Sequence, residues 1–316
     1  MNIDRAVIEI NGGCNYSCQM CPQSAPGGRG KNWLKKLSLK NFEAIIEELS
    51  DKGLNVVNLE GSGEPTLNPD LPEYVKIVKK YGAKAFMFSN GYKMQGNFMK
   101  RVVDAGTDFY RFSIIGYNKE TYKAWMNSDY FDIVIDNLHQ MQKYVNQSGS
   151  FCNVSTYHLI MDNDNVDYEV EQYRKIVESA GVQTEIWKMH NWSGVYRPPE
   201  ERTGEVKTCG RPFSPDLVIR AGGEEGKWGA VHPCCQVLGR DDEAILGHVS
   251  EETIEDIWKG DKYAELRQQH LTGNYPDFCK DCDFLIDDPE VLVYTNHTRD
   301  LYKMHGTRFD LNDFRY

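Results

Sequence analysis

The sequence predicts an α/β chain in which a helix-wrapped parallel sheet occupies residues 1–200 and a small cysteine-rich domain follows. Three observations predict it. Six short apolar runs alternate with helix-periodic stretches between Ala6 and Met189, as β-α-β crossovers of one hand require. That rhythm stops after Trp192. Residues 209–285 then hold Cys209, Cys234, Cys235, Cys279 and Cys282, several glycines and only short elements. So little apolar material cannot build a large core, and a metal staple is a physically reasonable substitute.

The elements follow in order. Ala6–Ile10 reads as the first strand, and Leu39–Leu49 as an amphipathic helix with Ser38 as N-cap and Gly53 as stop. Asn55–Leu59 is the second strand, and the helix after Pro69-Asp70 ends near Tyr81-Gly82. Ala85–Phe88 is the third, with a helix around Phe98–Asp104. Phe109–Ile115 is the fourth, followed by one helical segment reaching Tyr144. Asn153–Met161 is the fifth, Tyr168–Ala180 its helix, and Thr184–Met189 the sixth. Such units fit an open, partial TIM-like barrel as well as a doubly wound sheet, and periodicity does not choose between them. Arg197-Pro198-Pro199-Glu200-Glu201-Arg202 reads as a linker. The small domain spans 201–290, and 291–316 is an aromatic, charged tail expected to pack on the barrel.

Composition excludes several roles. The net charge is −11, from 36 basic and 47 acidic residues in 316. A non-specific nucleic-acid binder needs basic surface to displace counterions, so no nucleic-acid partner is expected. No apolar run approaches the roughly 18 residues of a membrane helix, so no membrane partner is expected either. Met1-Asn2-Ile3-Asp4-Arg5 is not a secretory signal, which points to the cytoplasm. Nine cysteines, an odd number without an export signal, argue against a disulfide framework and for metal or redox chemistry.

The first cysteine group is Cys14, Cys18 and Cys21, a C-x3-C-x2-C pattern just after the first strand. Three thiolates so close together can hold three irons of a [4Fe–4S] cluster, leaving the fourth iron free to bind a substrate or cofactor. Gly12 and Gly13 let the loop wrap closely. Structural zinc would want a fourth ligand, and no histidine lies near this loop to supply it.

This loop closely resembles the cluster loop of the radical S-adenosylmethionine (radical SAM) superfamily, a resemblance that covers the chain to about residue 190. It implies a partial (β/α)6 TIM-like barrel and a cluster on Cys14, Cys18 and Cys21 whose open iron is chelated by SAM. It further implies reductive cleavage of SAM to methionine and a 5′-deoxyadenosyl radical that takes a hydrogen atom from a C–H bond. The electron comes from an external donor such as flavodoxin or ferredoxin. Ser62-Gly63-Glu64 resembles the family's Gly-Gly-Glu motif, which receives the SAM ammonium group. Ser89-Asn90 resembles a turn near the ribose or carboxylate, Ser113 lies in a segment near the ribose and methionine part, and Met20 lies where a residue near the adenine is found.

The second group, Cys209, Cys234, Cys279 and Cys282, is spaced C-x24-C-x44-C-x2-C. With Gly229 four residues clear of Cys234, it resembles the SPASM/twitch extension of radical SAM enzymes. No cysteine follows Cys282, so the twitch form with one auxiliary [4Fe–4S] cluster is the better match. Four cysteines also suit structural zinc. The stretch from Cys209 to Gly229 is longer than the family's, which makes Cys209 the least certain ligand.

Candidate catalytic residues are Cys235, His190 and Lys188. Cys235 is left over beside a ligand, and some twitch-type epimerases use a cysteine thiol to return a hydrogen atom to the substrate radical. Lys188 and His190 share one face by alternation, and either type can take a hydroxyl proton. Cys152 and His158 read as core residues. The expected activity is oxidation or epimerisation of a small polyol, sugar or aminocyclitol. The alternatives are maturation of a ribosomally made peptide, disfavoured because no leader-binding domain precedes the first strand, and a non-catalytic metal-binding module.

Overall fold

The computed structural model describes residues 2–25, 34–161, 163–196, 208–285 and 292–296. Six strands with intervening helices come first: β1 Arg5–Ile8, α1 Leu39–Ser50, β2 Val56–Asn58, α2 Leu71–Lys80, β3 Lys84–Ser89, α3 Gly96–Asp104, β4 Phe109–Ser113, α4 Lys119–Met126, α5 Phe131–Ser148, β5 Asn153–Ile160, α6 Val166–Ala180 and β6 Gln183–Lys188. The C-terminal part adds β7 Asp216–Ile219, β8 Ala230–His232, β9 Gly247–His248, α7 Ile254–Lys259, α8 Asp261–Thr272 and β10 Leu292–Thr295.

Strand order settles the choice that periodicity left open. The sheet reads β10-β6-β5-β4-β3-β2-β1-β7-β8-β9, with β1 to β6 parallel and in sequence order. A doubly wound sheet reverses its order at a switch point. This one does not reverse, as in a partial TIM-like barrel. Helix α1 shows why the local sequence folds as it does: Ser38 Oγ accepts the Asn41 amide at 3.2 Å, and Phe42, Ile45, Ile46 and Leu49 bury one face.

Three differences from the sequence reading are physical. The single helix expected up to Tyr144 is two, because Asn127 takes a left-handed conformation (φ 49°) that ends α4. Asparagine tolerates that geometry, and the turn through Ser128 restarts the chain as α5. The first strand stops at Ile8, because Asn11 leaves the ladder to bridge Lys36. Finally, β7 pairs in parallel with β1, Arg5 opposite Asp216 and Val7 opposite Val218. The C-terminal part therefore extends the barrel wall. Its Leu217, Ile219, Val231 and Ile257 join the main core, while Cys234, Val237 and Ala244 form a small cluster of their own. The expected linker 197–202 and most of the expected tail lie outside the described residues. Residues 292–295 pair antiparallel with β6.

Candidate active site

A cavity of about 430 Å³ opens inside the barrel between the loop after β1 and the segment after β8. Its first wall is the three-cysteine loop. Asn11 shapes that loop by donating to the Gly13 carbonyl at 2.7 Å and the Glu64 carbonyl at 2.9 Å, while the Glu64 amide donates to the Gly13 carbonyl at 2.8 Å. Gly63 sits in this seam. A Cβ there would fall 2.6 Å from Gly12 C and Gly13 O, and closer still to the Asn11 carbonyl. Gly63→Ala is expected to cost stability by about 1–3 kcal/mol, the usual penalty of overpacking, because backbone cannot swing aside. Thermal denaturation checks it, and an unchanged midpoint would refute it.

Cys14, Cys18 and Cys21 all line the cavity as free thiols. Burial, then the Glu64 charge, pushes the Cys14 thiol up to about 12. Burial and the neighbouring cysteines raise Cys18, and burial raises Cys21. Bare thiolates are thus costly here, and bound cationic metal is what relieves three of them together. The donor set fits an iron–sulfur cluster. Behind the loop, Cys18 Sγ lies 3.7 Å from Met126 Sδ, and the Tyr16 and Tyr122 hydroxyls are 3.1 Å apart.

Glu64 lines the cavity but its carboxylate is already engaged. Oε1 accepts from the Thr66 amide (3.0 Å), Thr66 Oγ1 (2.6 Å) and Ser89 Oγ (2.7 Å), and Oε2 accepts from the Asn90 amide (2.8 Å). Burial still raises its carboxyl above the usual range. Asn90 also reaches Asn15 Oδ1 at 2.9 Å, tying the turn after β3 to the cysteine loop.

The opposite wall carries Cys234 and Cys235. Arg211 Nη1 lies 3.8 Å from Cys235 Sγ, and its guanidinium lies over the Phe284 ring at 5.4 Å. Cys234, Cys209 and Cys282 act electrostatically on Cys279, whose thiol burial raises most. These four are therefore close neighbours, although among the described residues no three His, Cys, Asp or Glu side chains are grouped as ligands of a single metal ion. The segment is locked to the barrel by Asn191, which donates to the Asp281 carbonyl at 2.7 Å, and by Ser193 Oγ, which donates to the Gln236 carbonyl at 3.2 Å.

The barrel lumen is charged, where such lumens are usually filled by branched apolar residues. Arg111 on β4 meets Glu185 on β6 in a bidentate pair, both contacts 3.0 Å, with Tyr157 of β5 on the same cavity wall. Arg5, Glu60, Asp216 and Arg220 line it as well. Glu9 joins the halves from behind: it accepts from the Ser62 amide and hydroxyl, and from the Ala221 amide at 3.1 Å.

Of the residues singled out in the sequence, the cavity is lined by Cys14, Cys18, Cys21, Met20, Glu64, Asn90, Ser113, Lys188, His190, Cys234 and Cys235. Gly63, Ser89, Cys209, Cys279 and Cys282 stand outside its lining. Gly63 brings two loops together, and Ser89 acts on Glu64. His190 Nδ1 accepts the Trp192 amide at 3.3 Å, and its ring packs against Trp192. His158 is a core residue, with Nε2 2.9 Å from Glu169 Oε1. Sequence reading missed Glu60, Arg111, Glu185 and Arg220. Their signal was a charged residue at an inward position of an otherwise apolar strand or its end.

Comparison with known proteins agrees with this arrangement. Residues 8–176 match the model of the Radical SAM superfamily, and 226–283 match that of the SPASM iron–sulfur cluster-binding domain. A probable GTP 3′,8-cyclase of Thermococcus kodakarensis is 29% identical over 44% of this chain, and the match spans only 43% of that protein. A tungsten-containing aldehyde ferredoxin oxidoreductase cofactor-modifying protein of Pyrococcus furiosus is 23% identical over 87% of this chain and 86% of its own. In fold, the chain resembles BtrN in complex with AdoMet and 2-DOIA (TM-score 0.57, 16% identity, 93% of this chain and 100% of that one). It also resembles Streptococcus suis SuiB bound to S-adenosylmethionine (TM-score 0.62, 12% identity, 84% and 68%). A three-cysteine loop at the mouth of a partial barrel, under a family model that covers more than half the chain, makes this protein a member of the radical SAM superfamily, with a [4Fe–4S] cluster, SAM and a C-terminal SPASM-type auxiliary iron–sulfur domain.

Proposed function

We propose that this enzyme removes a hydrogen atom from a C–H bond of a small polyhydroxylated molecule (a polyol, sugar or aminocyclitol) and thereby oxidises or epimerises it. The observation that carries the reading is that the Cys14–Cys21 loop, the charged lumen and Cys235 all face one cavity of about 430 Å³. That cavity is lined by the residues proposed to hold the cluster and SAM as well as by the charged lumen, so a substrate that shares it is small. When bound, the reduced cluster supplies the electron that cleaves SAM to methionine and a 5′-deoxyadenosyl radical.

In this reading Cys14, Cys18 and Cys21 hold the first cluster, and Cys209, Cys234, Cys279 and Cys282 hold the auxiliary one. Met20, Asn90, Ser113 and the Gly63-Glu64 turn hold SAM. Although the Glu64 carboxylate already takes four hydrogen bonds, the residue lines the cavity, where its carboxylate and carbonyl orient the ammonium group, and Ser89 fixes that carboxylate. Cys235 returns a hydrogen atom in epimerisation: its S–H bond breaks, a substrate C–H bond forms, and an electron from an external donor such as flavodoxin or ferredoxin, with a proton from water, restores the thiol. Lys188 and His190 stand at the end of β6, where either takes a substrate hydroxyl proton in oxidation. The likeness to SuiB is one of fold, and nothing in the cavity favours a peptide over a small molecule.

The test is anaerobic turnover of reconstituted enzyme with SAM, dithionite and carbon-deuterated polyols. Deuterium in 5′-deoxyadenosine is the expected result, and transfer from peptides alone would overturn the reading. Cys235→Ala is expected to consume SAM still while losing the epimerised product, measured by mass and NMR of the product. Unaltered product would remove Cys235 from the mechanism.

A further inference from the structure

Three polar groups in the cavity have no part in the roles above. Arg220 is 1% exposed and anchored from behind, with Nε 3.1 Å from Asp241 Oδ1 and Nη1 3.8 Å from Glu9 Oε2. Its Nη2 has no hydrogen-bond partner among the described residues. Gln236 is 7% exposed, and its Oε1 has none among them either. Glu60, just beyond β2, accepts from Asn58 Nδ2 at 3.0 Å through Oε1, and its Oε2 takes no hydrogen bond from the described residues. All three line the cavity.

Their chemistry restricts what fits. The guanidinium only donates, whereas the Gln236 carbonyl and an ionised Glu60 only accept. A carboxylate or phosphate would satisfy Arg220 but offers Glu60 no proton, and Glu60, Asp241 and Glu9 repel it. An ammonium group has no lone pair for Arg220. A hydroxyl accepts from one side and donates to the other. We propose that Arg220, Glu60 and Gln236 grip neighbouring hydroxyls of the substrate, so that the substrate class is a vicinal polyol without an anionic group at this end. This rests on the small-molecule reading above and deepens it. Gln236 directly follows Cys235, so the gripped carbons lie beside the thiol wall.

A pH dependence follows. Burial pushes the Glu60 carboxyl up to about 7, while the Asn58 hydrogen bond and the Arg111, Arg5 and Arg220 charges keep it from rising further. Tyr157 stands in the same field, its hydroxyl raised by burial. Protonation replaces the charged acceptor with a neutral carboxyl that accepts more weakly, so the grip strengthens as pH rises through that value.

Saturation-transfer NMR on reconstituted holoenzyme with SAM tests this, using glycerol and myo-inositol against acetate, methyl phosphate and ethylamine. The hydroxylated probes are expected to bind best at about pH 8. They should weaken about tenfold at pH 6, where Glu60 is mostly protonated, and by a similar factor in Glu60→Gln, which removes the charge of that acceptor, or Gln236→Leu, which removes one hydrogen bond to the ligand. Stronger binding of the anions or the amine overturns the proposal, as does binding of the hydroxylated probes that ignores pH and both variants. Iron content and melting report whether the variants fold, and if neither does, the wild-type pH series decides alone. Probe binding needs no turnover, so failure of deuterium transfer counts against the proposed function without touching this result.

Discussion

Cys18→Ala is expected to abolish formation of 5′-deoxyadenosine from SAM and dithionite. Cys18 is the middle member of the three free thiols in the loop after β1, all of which line the cavity. Outer-shell changes around a metal typically cost about 10–100-fold, so loss of a direct ligand belongs beyond that range. Among the described residues, the side chain placed against Cys18 by hydrogen-bond geometry is the Met126 thioether, a weak ligand for iron beside a thiolate. Chromatography of 5′-deoxyadenosine, with iron content on the same sample, decides the matter. Wild-type amounts of product from Cys18→Ala would sink the assignment of this loop.

Arg111→Met should destabilise the fold by about 3–5 kcal/mol, because it strands a buried carboxylate. Arg111 and Glu185 are 2% and 0% exposed in their side chains. The guanidinium lies 4.8 Å from the Phe88 ring, and Trp187 Nε1 adds a 2.9 Å hydrogen bond to Glu185. Burial lowers Arg111 and the Glu185 charge restores part of that loss. Replacing both partners with methionine should recover much of the stability, since an apolar pair of similar volume replaces the ion pair without leaving a bare charge. Denaturant midpoints of the wild type, both single variants and the double variant give the coupling. A single variant as stable as the wild type would show that water reaches Glu185.

The three-cysteine loop that lines the cavity was the most readable part of the site, because such spacing is a local property. Strands β2 to β6 were readable for the same reason: each is a short apolar run bounded by a turn. Two kinds of feature were not. The break at Asn127 depends on one residue adopting a left-handed backbone inside helix-like composition. The seventh parallel strand, Asp216–Ile219, joins β1 across two hundred residues, and no local pattern encodes such a pairing. Arg111 and Glu185 could each be seen as charges within strands, but only the register β4-β5-β6 brings them face to face. Gly63 and Ser89 stand in two separate motifs, and in the structure Gly63 also closes the seam between two loops while Ser89 donates to Glu64. Motif matching finds positions without separating those that touch a ligand from those that hold a neighbour.

The strand Leu292–Thr295 has a consequence for self-association. A sheet that never closes has two borders, and an unpaired border is a template on which a second chain can lay a strand. Here one border strand is only Gly247–His248, too short to template much. The other would be β6, six residues long and ending in Trp187 and Lys188. Residues 292–295 lie along it in antiparallel register, irregular between Leu292 and Tyr294, and such a bulge twists a strand away from further pairing. Colloidal behaviour is thus written into four residues outside the cavity lining: among the described strands, they occupy the long border that another copy could otherwise claim.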